Sequence, residues 1–320
     1  MKALAVCACL LAAPALAQRP AACAETFALE PFGTLTVYRQ TPRPAHVVLF
    51  ISGDGGWKLG VVDMARELAS LDALVVGIDI THYMRTVAGR AGAGAAPSGA
   101  PASAASGAAG AAASGSAAGA APGGATVGAA PGSTAAAAAA AAAGAPGASS
   151  PAPPGAAASQ PCFDPAKDFA ELGRVVEERF GYPDRRPPIL VGYSSGATLV
   201  YATLVQAPPR TFAGGVSLGF CPDLMVEMPI CKGNGLTWQR DPHHKGVDFL
   251  PSHLLEVPWV ALQGDIDKIC TPADTRSYVA KVPHGELVWL HKVGHGFSVT
   301  RRWMPQLKAS VARVARAAGR

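Results

Sequence analysis

Apolar and polar positions along the chain follow two rhythms. Thr34 to Arg39 alternates with a period of two, as a strand does when one face is covered. His46-Val47-Val48-Leu49-Phe50-Ile51 is instead a short continuous apolar run, the pattern of a strand buried on both faces. Past a glycine-rich stretch, Val62, Ala65, Leu68 and Ala69 recur at helical spacing, and Ala73 to Ile78 is a second apolar run ending at Asp79 and Thr81-His82-Tyr83. Farther along, Asp164-Pro165 predicts an N-cap with proline in the first turn. Phe169, Leu172, Val175, Val176 and Phe180 carry that helix to Gly181. Pro188 to Val191 is apolar again and leads through a tight turn into a helix reaching about Gln206. Phe212 to Leu218, Trp259 to Leu262 and Leu287 to Leu290 predict three more strands, with helices near Ala273 to Lys281 and at the C-terminus. Strand and helix alternate throughout. That order predicts an α/β architecture, a mostly parallel sheet with helices on both faces.

The pattern fails in two places. Met1 to Ala17 carries Lys2, an apolar run from Ala3 to Leu11, and Ala15-Leu16-Ala17, the arrangement of a secretory signal peptide cleaved before Gln18. The run is too short to span a bilayer. From Ala88 to Gln160 the chain is almost wholly Ala, Gly, Ser and Pro, with Arg90 its one charge and nine alanines from Ala135 to Ala143. Such a composition buries too little apolar surface to offset its ordering entropy, so a disordered insertion is expected. This segment also inflates the 49% hydrophobic content of the 320-residue chain. The expected organisation is a signal peptide over 1–17, one domain in two parts over 18–87 and 161–320, and the insertion over 88–160.

Charge and cysteines refine the picture only a little. The formal charge of +5 is modest, and the C-terminal helix bears Arg301, Arg302, Lys308, Arg313 and Arg316, a basic face suited to solvent or to peripheral contact with an anionic membrane. Nothing resembles a nucleic-acid module, and no cofactor is called for. Cleavage of the signal peptide leaves five of the seven cysteines, Cys23, Cys162, Cys221, Cys231 and Cys270. Export allows disulfides, and Cys221 with Cys231, which bracket a short proline-containing loop, is the expected pair. No Cys-x-x-Cys spacing supports zinc, and the adjacent His243-His244 are poorly placed to converge on one ion. Trp238 and its neighbouring prolines are expected in a lid.

The tight turn is where chemistry concentrates. Gly192-Tyr193-Ser194-Ser195-Gly196 follows a strand and opens a helix, the context in which a Gly-x-Ser-x-Gly turn exposes a nucleophilic serine. The same pattern recurs at Gly215-Val216-Ser217-Leu218-Gly219. That copy lies within a strand and is followed by Phe220-Cys221-Pro222, which disfavours an immediate helix. Ser194 is therefore the expected nucleophile. A serine needs a base, and the base an orienting acid, in the chain order Ser, Asp, His for this context. His295, between Gly294 and Gly296 after the last strand, is the expected base. Gly264-Asp265-Ile266-Asp267 offers two acids after the preceding strand, with Asp267 preferred and Asp265 the alternative. Oxyanion donors are expected at the backbone N–H groups of Ser195 and Asp54, the latter in Ser52-Gly53-Asp54-Gly55-Gly56-Trp57. Gly55, Trp57 and Tyr193 are the expected substrate contacts.

Taken together, Ser52-Gly53-Asp54-Gly55-Gly56-Trp57, Val76-Gly77-Ile78-Asp79 and Val191-Gly192-Tyr193-Ser194-Ser195-Gly196-Ala197 resemble the AcvB/VirJ virulence-protein family across most of both folded parts. The resemblance implies an α/β-hydrolase fold and a periplasmic enzyme that hydrolyses aminoacyl esters of phosphatidylglycerol, such as lysyl-phosphatidylglycerol, with a link to virulence and type IV secretion. By position it implies Ser194 as nucleophile. The chain departs from the family in Ser195, where a bulkier residue is common, and in the long insertion after Asp79. An aminoacyl ester carries an ammonium group that a carboxylate would bind, and Asp54, Asp223 and Glu227 are the candidates.

Overall fold

The structure, a computed structural model, describes residues 23–58, 60–94, 162–182, 186–241 and 245–318. The expected signal peptide, nearly all of the expected insertion and the His243-His244 pair lie outside them. The chain opens with β1 (Cys23–Leu29), β2 (Gly33–Arg39) and β3 (His46–Ile51), then α1 (Val62–Ala69), β4 (Ala73–Ile78) and α2 (Ile80–Gly94). The second part runs α3 (Pro165–Arg179), β5 (Ile189–Tyr193), α4 (Ser195–Gln206) and β6 (Gly214–Leu218). Three short strands follow, β7 (Asp223–Leu224), β8 (Trp238–Arg240) and β9 (Val247–Phe249). The chain finishes with β10 (Trp259–Gly264), α5 (Pro272–Val279), β11 (Gly285–Leu290) and α6 (Met304–Ala318).

Eight strands make one sheet in the order β1-β2-β4-β3-β5-β6-β10-β11, and β7, β9 and β8 make a small second one. The first two pairings, β1 with β2 and β2 with β4, are antiparallel; every later neighbour in the main sheet is parallel. The apolar runs explain why. In β3, Val47, Leu49 and Ile51 face one core and Val48 and Phe50 the other, all of them buried. The first core is closed by Phe169, Leu172 and Val176 of α3 and by α4, the second by Met64, Ala65 and Leu68 of α1 and by Leu307, Val311 and Val314 of α6. A chain buried on both faces in this way must place its polar chemistry at the strand ends.

The expected strands and helices are all present, with ends shifted by a few residues. Three features differ from the sequence reading. β1 pairs along the whole of β2 at the sheet edge, and β7–β9 are strands too short to show a period. The third is α2, which continues through residues 88–94, past the expected start of the insertion. Its signal was present: Ile80, Tyr83 and Val87 are buried at helical spacing. Asp79 starts it, accepting from the Thr81 and His82 N–H groups and the Thr81 hydroxyl, while its other oxygen accepts from Trp57 N–H.

Burial tends to raise the Asp79 pKa, but these hydrogen bonds prevail and hold it below the ordinary carboxylate value. A depressed folded-state pKa contributes stability above the unfolded value that is lost as pH falls through the folded one. Asp79→Ala is therefore expected to cost about 1–2 kcal/mol at neutral pH, the usual worth of such a cap. In denaturant melts the gap from wild type should close as the pH drops below the carboxylate range. An undiminished gap in acid would show that the charge plays no part.

On α6, Lys308 pairs with Glu67 and Arg313 with Glu286, so two of the helix's basic groups are engaged by the body of the domain. Among the described residues no helix is long and apolar enough to cross a membrane.

Candidate active site

The β5–α4 turn sets the site. Ser194 sits between strand and helix with φ 55° and ψ −126°, a conformation that non-glycine residues rarely adopt. It is feasible because its glycine neighbours lack side chains. A Cβ on Gly192 would lie 2.1 Å from the Gly196 carbonyl oxygen, and one on Gly196 would lie 2.3 Å from the Ser52 carbonyl oxygen. The turn is thus pressed between its own helix and the end of β3, and the serine side chain is pushed out at the C-terminal ends of the strands. The second copy of the pattern is unlike it. Ser217 is fully buried within β6, donates to the Ala197 carbonyl and accepts from Trp259 Nε1.

His295 and Asp267 come to Ser194 from two later loops. Ser194 Oγ lies 2.9 Å from His295 Nε2, and His295 Nδ1 lies 2.9 Å from Asp267 Oδ2. Asp267 is 4% exposed. Its Oδ1 accepts from the N–H groups of Ile269 at 2.8 Å and Cys270 at 2.9 Å, and its Oδ2 also accepts from Gln263 Nε2 at 3.2 Å. Burial works to raise the Asp267 pKa; the hydrogen bond to His295 and the two N–H bonds outweigh it and hold the group below its ordinary value. An ionised Asp267 accepts a hydrogen bond from His295 Nδ1–H, which keeps the proton on that nitrogen and leaves the Nε2 lone pair toward the serine hydroxyl. Asp265, the alternative acid, faces the surface instead, bonded to His291 Nδ1 at 2.8 Å and to Lys292 N–H.

The two expected oxyanion donors, Ser195 and Asp54, stand beside the elbow. Ser195 is the first residue of α4, so its N–H has no helical acceptor. Gly56 N–H bonds back to the Gly53 carbonyl at 2.9 Å, closing a turn in which the Asp54 and Gly55 N–H groups are left over. The Ser195 hydroxyl donates to Asp54 Oδ1 at 2.6 Å and ties this loop to the elbow. The sequence offered no sign of that bond.

A cleft of about 300 Å³ opens over Ser194. Ile80, Thr81 and Met84 of α2 form one wall, Asp223, Leu224 and Met225 another, and Thr198, Ile269 and Cys270 complete it with Asp54 at the mouth. Of the three expected substrate contacts, none lines it. Gly55 points to solvent at the tip of its turn. The Trp57 ring fills the space above Gly77, where a Cβ would meet it at 1.9 Å, and packs edge-on against Phe50. Tyr193 lies below, its hydroxyl donating to the His295 carbonyl at 3.0 Å and its ring meeting Phe297, so it supports the histidine loop. Trp238 is likewise outside the cleft, bonded through Nε1 to the Ile230 carbonyl and packed on the core. Asp223 lines the cleft and Glu227 does not. The wall from α2 was missed because α2 itself was.

The disulfides are Cys162–Cys231 and Cys221–Cys270, which corrects the expected Cys221–Cys231 pair. Proximity in sequence misled: Cys221 leaves the end of β6 beside the acid loop after β10, while Cys231 turns back to α3, its N–H bonded to the Phe163 carbonyl. Asp267, Cys270 and His295 are close enough to suggest a metal. Yet the Cys270 sulfur is spent in a disulfide and the other two groups bond each other, so this donor set does not suit one.

The strand order, the strand–elbow–helix at β5–α4, the acid after β10 and the histidine after β11 define the α/β-hydrolase fold. No family model matches the chain, and neither does any curated protein. Solved structures of similar fold include the esterase domain of a Rhodothermus marinus protein (12% identity, TM-score 0.47, covering 92% of this chain and 98% of that one). An α/β serine hydrolase without lid from Xanthomonas campestris shares 16% identity at a TM-score of 0.41, covering 93% of this chain and 94% of its own. A Coxiella burnetii α/β serine hydrolase homologue shares 13% at 0.45, covering 90% and 96%. These are likenesses of fold alone.

Proposed function

We propose that the protein is an exported serine hydrolase that cleaves carboxylic esters through an acyl-enzyme on Ser194, with an aminoacyl-phosphatidylglycerol such as lysyl-phosphatidylglycerol as its substrate. The observation that carries this reading is the continuous hydrogen-bonded line from Ser194, which lines an open cleft, through His295 to a buried Asp267.

In this mechanism Ser194 Oγ attacks the ester carbonyl as His295 Nε2 takes its proton, and the N–H groups of Ser195 and Asp54 hold the developing oxyanion. The imidazolium then returns the proton to the departing alcohol, leaving the acyl group on Ser194. Water, deprotonated by the same imidazole, releases the acid and restores the serine. Asp267 holds the ring in register and offsets its charge in both halves.

The lipid substrate is supported by the chemistry of the mouth. Asp54 and Asp223 place two carboxylates in the cleft, suited to the ammonium of an aminoacyl group. Met225 and Ile269, 62% and 70% exposed, form an apolar rim of the kind that meets acyl chains. Export is supported by two disulfides in a chain that opens with a signal-peptide pattern. The AcvB/VirJ likeness and the link to virulence rest on the motifs quoted above. The small volume of the cleft also suits short soluble esters, which makes a broad carboxylesterase the second reading.

A fluorophosphonate probe is expected to label Ser194, read by peptide mapping, and the purified protein to release lysine from vesicles containing lysyl-phosphatidylglycerol. Hydrolysis of p-nitrophenyl acetate with no release of lysine would leave the carboxylesterase. An unlabelled Ser194 would remove the hydrolase reading altogether.

A further inference from the structure

The feature most closely tied to the triad, yet outside it, is the Cys221–Cys270 disulfide, both of whose residues line the cleft. Its two ends reach the two ends of the triad. Thr198, on the helix that Ser194 opens, donates its N–H to the Ser194 carbonyl and its hydroxyl to the Cys221 carbonyl at 2.7 Å. Across the sulfur bridge, the Cys270 N–H donates to Asp267 Oδ1, and Gln263 Nε2 joins the Cys270 carbonyl at 2.9 Å to Asp267 Oδ2. The path from Ser194 through Thr198, Cys221, Cys270, Asp267 and His295 returns to Ser194. The sulfur–sulfur bond is its only covalent crosslink.

The first half of the acid loop is tied to the end of β11, through Asp265 N–H to the Leu290 carbonyl, Ile266 N–H to the Val293 carbonyl and the Asp265 carboxylate to His291 and Lys292; its second half has fewer ties. Lys268 and Ile269 are turned to solvent, and beyond the bridge the next bond to the end of β6 is one hydroxyl bond, from Thr275 of α5 to the Phe220 carbonyl. The other disulfide, Cys162–Cys231, joins the start of α3 to the loop before β8 and lines no part of the cleft.

We propose that Cys221–Cys270 is a positioning crosslink for Asp267, and that its reduction by a dithiol switches the hydrolase to a low-activity state. This rests on the serine-hydrolase reading. In the switch, one thiolate of the dithiol attacks a sulfur of the bridge and a mixed disulfide forms. The second thiolate displaces the remaining protein sulfur, so the protein gains two thiols and the dithiol becomes a cyclic disulfide. Cys270 is then free to move, and with it the N–H that holds Asp267. The carboxyl keeps its burial but loses hydrogen bonds, so its ionisation shifts to higher pH. Both consequences act on Asp267 and through it on His295, so the rate of chemistry is expected to fall more than substrate affinity.

The test compares two double variants of the full chain, each lacking one bridge. C162S/C231S is expected to keep kcat within about twofold while lowering the melting temperature. C221S/C270S is expected to lose kcat by about 10- to 100-fold, the usual effect of a small misplacement, with little change in KM. Its acid-side loss of kcat should also move to higher pH. A folded C221S/C270S with wild-type kcat and wild-type acid inflection would overturn the proposal. If that variant does not fold, the wild-type protein is titrated with dithiothreitol, and the rate of Ser194 labelling by a fluorophosphonate is followed against alkylation of each cysteine. An unchanged rate once Cys221 and Cys270 are both alkylated overturns it equally. Failure of Ser194 to label in the untreated protein would instead sink the hydrolase reading, and the switch with it.

Discussion

Ser194→Ala is expected to abolish ester hydrolysis, lowering kcat by about 10⁴-fold or more while leaving the fold in place. The large effect follows from the geometry, since Ser194 Oγ is the atom that His295 Nε2 faces at 2.9 Å and, among the described residues, no other hydroxyl bonds that imidazole. Ser195 is next in sequence, but its hydroxyl is directed to Asp54. Ser217, in the repeated motif, is buried with both hydrogen-bonding roles filled inside the core. Neither can stand in. Retained turnover of p-nitrophenyl acetate, measured with an unchanged melting temperature, would exclude Ser194 as nucleophile. A binding protein on the same scaffold would show the opposite pattern, with Ser194→Ala harmless to its function.

Asp267→Asn and Asp265→Asn are expected to separate by orders of magnitude. Asparagine at 267 offers an N–H where a carboxylate accepted four hydrogen bonds, and it leaves the imidazolium uncompensated; loss of about 10³- to 10⁴-fold in kcat is expected, as for other serine triads. Asp265→Asn touches the exposed His291 and the backbone N–H groups of Lys292 and Val293, away from Ser194 and His295, and should change kcat by less than about threefold. The pH dependence follows the same division. The folded Asp267 carboxyl lies below its ordinary value, so the stability it contributes is present above the unfolded carboxylate range and fades as pH falls through the folded value. Asp267→Asn should flatten that acid-side loss. Equal damage from both substitutions would mean that the acid had been misassigned.

These two predictions differ in how far the sequence could support them. Ser194 was legible because everything that singles it out is local. The apolar run Ile189–Val191, the glycines two positions either side and the small residues that open α4 lie within about a dozen positions, and the Cys221-Pro222 step spoils the rival copy at Ser217 by local rules alone. The parallel strands were legible for a similar reason. A strand covered on both faces must be apolar at every position, so β3, β4, β5 and β10 announce themselves. α2 was locally encoded too, by Asp79 and the Ile80, Tyr83, Val87 spacing, and was overlooked beside the Ala- and Gly-rich sequence that follows it.

The rest needed the chain to be folded. Asp265 and Asp267 are two residues apart in one loop and alike in chemistry; the sequence prefers Asp267 with Asp265 as the alternative, and the approach of β11 brings one to His291 at the surface and the other to His295 in the interior. Cysteine pairing is decided by which loops share a sheet end, which is why Cys221 passes over Cys231, ten positions on, for Cys270, 49 positions away. Trp57 and Tyr193 have the composition of substrate contacts, but their rings turn toward Gly77 and Phe297, away from the cleft. Local pattern specifies elements because hydrogen bonding and hydrophobic periodicity act over a few residues. The identity of an acid, the partner of a cysteine and the wall of a cleft depend on contacts between distant segments, and the packing of those segments on the sheet is what selects among side chains that the sequence leaves equivalent.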